Sequence, residues 1–201
     1  MTFSRVSVIP LIIANAVPLF GVLFFDWSLF QILFLYWFES GVIGFYNIFK
    51  LIKVSGLLSI LLVPFFIIHF GGFMIVHLIF VFALFAPELA HTSFFPSREA
   101  LTPLFSVMAI PILTLFLSHG FSFFSNFIEN REYEHTDSGK QMNAPYKRII
   151  IMHFTILFGG WLIMIFKQPV LGLVLLVIIK SITDLRSHIK EHSSLESQSP
   201  T

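Results

Sequence analysis

Residues 60–82 read ILLVPFFIIHFGGFMIVHLIFVF. No Asp, Glu, Lys or Arg interrupts them. At 1.5 Å rise per residue a helix of this length covers about 35 Å, and the hydrocarbon core of a bilayer is roughly 30 Å thick. A helix apolar on every side belongs either in a large protein core or in lipid. A chain of 201 residues with 27 Phe has no core large enough to hide so many rings. The stretch therefore reads as a membrane span, tilted by its excess length.

The pattern recurs along the chain. Apolar runs of spanning length are predicted at 6–25, 29–48, 60–82, 104–128, 149–166 and 170–185. Residues 26–28 make a very short first connection, and Lys167, Gln168 and Pro169 join the last two spans as a tight hairpin. The first run has no small-residue cleavage site behind it, so it reads as an uncleaved helix. Composition agrees: 56% of residues are hydrophobic and 11% charged, against about 25% charged in soluble domains. The expected fold is all-α, a polytopic integral membrane helical bundle with six transmembrane helices. One domain covers 1–192, and the Ser/Gln/Pro-rich stretch 193–201 is a disordered polar tail.

Charge fixes the expected orientation. With the N-terminus in the cytoplasm, inner segments hold Arg5, Lys50, Lys53, Arg131, Lys140, Lys147, Arg148, Lys180, Arg186 and Lys190, while outer segments hold Arg98 and Lys167. This asymmetry puts both termini in the cytoplasm, as in a multi-pass protein of a cell's inner membrane. Two connections have some length, 86–102 outside and 129–146 inside. A net charge of +1 gives no case for a nucleic-acid partner. The absence of cysteine excludes disulfides, thiolate metal sites and thiol nucleophiles from this chain. No nucleophile elbow, P-loop or histidine-box motif is present.

Ionisable groups inside spans are expensive and usually face the bundle interior. Asn15, Tyr36, Glu39, His69, His77, His119, Asn126, His153, Lys180 and Asp184 are such residues here. On the fourth span His119, Ser122, Asn126 and Glu129 share an arc of about 80° if the turn is α-helical. The sixth ends in Lys180, Asp184, His188 and Glu191 on one face. Gly71 and Gly72 lie between His69 and His77, and Gly159 and Gly160 follow His153; both pairs are expected to permit close helix approach. Glu39 must protonate or find a cation. Alternating helix direction gathers these groups toward the inner half, where they could line one cavity.

Three readings follow. The first is a membrane enzyme or binding protein with a transition metal ion (Zn, Fe or Cu) held by His69, His119, His153, Asp184 and His188. In that reading Glu39 is the proton acceptor and Lys180 stabilises developing negative charge. Haem between His69 and His119 is the lesser variant, and His77 is left without a partner of similar depth. The second reading is a proton, ion or small-solute pathway. The third is a non-catalytic accessory subunit whose polar groups hold the helices together. The lipid bilayer is the expected partner, and Phe-rich faces leave a homo-oligomer or a membrane-complex partner open.

The chain also resembles a family of membrane proteins catalogued as domain of unknown function 6498. The resemblance rests on Asn15-x-x-Pro18, Tyr36-x-x-Glu39, the segment from His69 to His77, Ser118-His119, Ser122-Phe123 and Asn126-Phe127. It continues through Pro145-Tyr146-x-Arg148, His153 and Lys180-x-x-x-Asp184-x-x-x-His188, and covers roughly residues 10 to 190. That family has no assigned activity, so the resemblance implies membrane helices and no chemistry.

Overall fold

Gly56 turns the chain back on itself. The computed structural model describes residues 24, 27–89 and 98–166, and all regular structure among them is helical. Helix α1 (Leu29–Ser55) is separated from α2 (Ser59–Phe85) by one 3-10 turn, Gly56–Leu58. Gly56 has φ of 53°, a left-handed conformation that glycine adopts without steric cost. Helix α3 (Arg98–Ser122) continues into a π-helical stretch, Phe123–Glu129. A left-handed Arg131 and a short 3-10 turn, Glu132–His135, lead into α4 (Ser138–Phe166).

Contacts within the chain group into two units, Met1–Leu29 with Trp161–Thr201, and Phe30–Gly160. The first has only Phe24, residues 27–29 and residues 161–166 described. The expected spans at 6–25 (apart from Phe24) and 170–185, both termini and the 193–201 tail lie outside the described residues, as do Lys180, Asp184 and His188.

Side-chain contacts give the topology of the Phe30–Gly160 unit. Phe30 meets the Phe82 ring at 5.0 Å, and the Trp37 indole N–H donates to the Met74 carbonyl at 2.7 Å, so α1 and α2 are antiparallel. Phe34 packs on Phe105 and Tyr46 on Phe116, so α3 runs parallel to α1. Ser40 meets Arg148 and Asn47 meets Gln141, so α4 is antiparallel to α1. Its neighbour α2 runs parallel to α4, with His69 at Tyr146 and His77 at His153. The four helices thus alternate in direction, as in an up-and-down bundle.

Rings hold them together, each aromatic pair contributing about 0.5–1.5 kcal/mol. Gly44 lets the α2 ring of Phe70 reach the α1 backbone, where a Cβ would collide with it. On α1 the buried stripe is Leu33, Tyr36, Ser40, Asn47 and Leu51. On α4 it includes Gln141, Met152 and Ile156. The outward surface is apolar: Ile110, Ile68 and Phe121 are 79%, 76% and 75% exposed, surface that water penalises and hydrocarbon does not. Two stretches among the described residues are long and apolar enough to cross a membrane, Leu29–Phe85 and Leu101–Glu129. The first contains both α1 and α2.

The structure corrects the sequence reading in three places. Much of the expected inner connection 129–146 is helix, because α4 starts at Ser138 rather than near 149. Gly71 and Gly72 mark no close approach among the described residues, where a Cβ on either would meet nothing; Gly44 and Gly120 are the tightest positions, and Gly160 has its expected close approach, a Cβ there lying 3.2 Å from the Leu84 side chain of α2. The His119-to-Glu129 arc assumed α-helical turns; Asn126 keeps its place beside Ser122, its Nδ2 donating to Ser122 Oγ at 3.2 Å, but the wider π-helical turns rotate Glu129 off that line.

Candidate functional site

Glu39 lies mid-way along α1 and needs a cation, and Arg148 of α4 supplies it. The Arg148 Nη2 donates to Glu39 Oε2, and its Nε donates to Ser40 Oγ at 3.1 Å. The guanidinium lies over the Tyr36 ring, 4.4 Å from its centroid. Ser40 is free to accept because its own hydroxyl hydrogen goes to the Tyr36 carbonyl at 3.0 Å. From α3, His119 Nε2 approaches the other carboxylate oxygen of Glu39 at 3.5 Å. The side chains are about a quarter exposed, at 23% for Arg148, 24% for Glu39 and 30% for His119. A carboxylate in apolar surroundings is thereby paired from two helices, and the imidazole gains a partner that fixes its orientation.

Below this cluster, α1, α3 and α4 enclose a cavity of about 140 Å³. Tyr46, Asn47 and Lys50 line it from α1, His119 and Ser122 from α3, and Gln141, Ala144 and Pro145 from α4. Asn47 Oδ1 accepts from Gln141 Nε2 at 2.5 Å, both residues being buried. Asn47 Nδ2 is a buried donor with no acceptor among the described residues. Pro145 sits inside α4 and has no N–H for the Gln141 carbonyl, so that carbonyl loses its intrahelical donor. Gly120 gives the Tyr46 hydroxyl room to reach the Phe116 carbonyl at 3.1 Å. The Lys50 ammonium lies 4.8 Å from the Phe127 ring centroid. Donors, an orphaned amide and an imidazole therefore share one small space. A larger cleft of about 400 Å³, with Trp37, Phe45, Phe70 and Phe116 on its walls, is apolar and lies apart from these groups.

The remaining histidines lie along the α2–α4 seam. His69 Nδ1 is 2.8 Å from the Tyr146 hydroxyl, with its ring stacked on Phe65. His77 Nε2 is 3.2 Å from His153 Nδ1. The expectation that His77 lacks a partner of equal depth is therefore overturned. With α4 starting at Ser138, His153 stands about 22 Å up its helix, near the roughly 27 Å of His77 above Ser59.

Of the expected ligand set, the structure places His119 with Glu39, His69 with Tyr146 and His153 with His77, so these three do not converge. No group of three His, Asp or Glu able to hold a metal ion occurs among the described residues. Asp184, His188 and Lys180 lie outside them. In the sequence Arg148 and Lys50 count only as inner-segment charges, and neither Gln141, nor Asn47 as a cavity residue, is singled out. The signal was in the α4 spacing, since Gln141, Pro145, Arg148, Met152 and Ile156 recur every three or four residues, a single helix face that begins well before the apolar run.

Among curated proteins none matches the chain at a significant level, and neither does any solved structure. The model of one family, described as a family of unknown function, matches residues 1–201. Tyr36, Glu39, His119 and Arg148, which meet in the polar cluster, are among the residues that carried the earlier resemblance. The chain belongs to the family of unknown function DUF6498.

Proposed function

We propose that this chain is a multi-pass membrane protein of six helices, with both termini in the cytoplasm, that admits a small polar solute into the cavity between α1, α3 and α4. There His119, oriented by Glu39, gives or takes a proton. The observation that carries this reading is the double position of His119, which faces the Glu39 carboxylate and lines the cavity that holds Asn47. A carboxylate-backed imidazole beside a polar pocket is the arrangement general acid–base chemistry uses. The unsatisfied Asn47 amide favours a solute with a hydrogen-bond acceptor, because an orphaned buried donor costs about 1–3 kcal/mol. A metal at Glu39 and His119 is the weaker reading. The Arg148 guanidinium already holds that carboxylate and would repel a divalent cation.

The chain has no cysteine, so Ser122→Cys creates its sole thiol at the cavity wall. In oriented vesicles this thiol should react with a charged, membrane-impermeant thiosulfonate added on the cytoplasmic side and stay silent to reagent added outside. Phe121→Cys, one residue away on the exposed apolar face, should react from neither side. Reaction of Ser122→Cys from outside, or no faster than Phe121→Cys, would discard the cytoplasm-facing pocket.

A further inference from the structure

The α2–α4 seam carries a polar pair that the cavity does not use, and it goes beyond that reading. The geometry points to a two-histidine site for a divalent transition-metal ion of the Cu(II) or Zn(II) class at His77 and His153. His77 Nδ1 lies 2.7 Å from the Phe73 carbonyl, which can only accept, so Nδ1 carries the hydrogen. In the neutral ring Nε2 then holds a lone pair, and that lone pair faces His153 Nδ1 at 3.2 Å. Without metal, His153 Nδ1–H donates to it.

An ion seated between the rings replaces that hydrogen bond by two metal–nitrogen bonds. The proton on His153 Nδ1 moves to the Nε2 of the same ring, carried by a water that enters with the hydrated ion, so both imidazoles stay neutral and nothing is oxidised or reduced. Metal–imidazole bonds of 2.0–2.1 Å in tetrahedral geometry put the two nitrogens about 3.3–3.4 Å apart. The observed 3.2 Å needs only a small adjustment. The bond from His77 Nδ1–H to a backbone carbonyl is the outer support that ligating histidines ordinarily have, holding tautomer and ring direction.

Exposure differs between the two rings. His77 is 2% exposed and held in place, whereas His153 lies on the exposed face of α4, so the ion's other positions are left to waters that enter with it or to a small ligand. With two protein ligands the site suits the ions that imidazole holds best, and Cu(II) stands highest in that series. It lies about 12 Å from the Phe85 end of α2 and about 27 Å from its Ser59 end.

The test uses the full chain purified in detergent, stripped with chelator and given one equivalent of Cu(II). Electron paramagnetic resonance should show one Cu(II) per chain with two imidazole nitrogens. His153→Gln should weaken binding by at least ~100-fold, while its metal-free Tm falls only by the loss of the hydrogen bond to His77 Nε2. His69→Gln and His119→Gln should retain the signal. Equal Cu(II) binding by His153→Gln and wild type, loss in His69→Gln instead, or no stoichiometric ion in wild type would each overturn the site.

Discussion

Arg148 shows how much one side chain can organise. Its guanidinium bonds Glu39 and Ser40 and covers the face of Tyr36. Removing it leaves a carboxylate in apolar surroundings, so Arg148→Ala should lower stability in mixed micelles by about 2–3 kcal/mol. Arg148→Lys should recover little, since a lysine cannot bond carboxylate and hydroxyl in one plane while stacking on a ring. Glu39→Gln with Arg148→Met should be more stable than Arg148→Ala alone, because it removes the uncompensated charge. Additive losses in a double-mutant cycle of the two residues would contradict the pair. Glu39 was legible in the sequence as the residue needing a cation. Arg148 was not, since a cation beside an apolar run counts as an inside loop charge unless the helix is known to begin earlier.

At the scale of elements, the decisive fact is where α4 starts. The Asp137 carboxylate accepts from the Lys140 backbone N–H at 2.8 Å, an N-cap ahead of Ser138. That bond, more than the Lys140 ammonium 3.4 Å away, holds the Asp137 carboxyl below the usual carboxylate range. A depressed folded value means the cap stabilises α4 fully above the unfolded value of about 3.9 and is lost as pH falls through the folded one. Protection of the Lys140 and Gln141 amides against hydrogen exchange should drop in Asp137→Ala at pH 7. In wild type it should drop only in strong acid, after correction for intrinsic rates. Unchanged protection in Asp137→Ala would mean another group starts the helix.

Helix existence at 29–48, 60–82 and 104–128 was readable because lipid-length apolar runs are hard to mistake. The polar beginning of α4 was not, because hydropathy sees side-chain character and not the inward face on which Gln141, Pro145 and Arg148 fall. The π-helical stretch after Ser122 was equally hidden, since nothing in Phe123–Glu129 spaces its residues differently from an α-helix.

In the Phe30–Gly160 unit, the same shift of α4 accounts for both polar regions. It sets Gln141 against Asn47, Arg148 against Glu39 and His153 against His77 in ascending order along one helix. The sequence already indicated that polar groups would face inward, but not which helices pair, because depth counted from the wrong helix start misplaces every residue above it. Expected partners such as His69 and His119 thus fell to different seams, and His77 found a partner the depth argument had denied it.

The central claim is that the polar first turns of α4 run inside the bundle beside α1. In the cysteine-free chain, Asn47→Cys with Gln141→Cys puts two thiols where the amides now bond at 2.5 Å. A short bifunctional thiosulfonate applied to native membranes should link this pair within one chain. The control, Asn47→Cys with Lys147→Cys on the exposed side of α4, should stay unlinked. Linkage of the control but not of the first pair, or of neither, would place residues 138–148 in a loop outside the bundle and contradict the account.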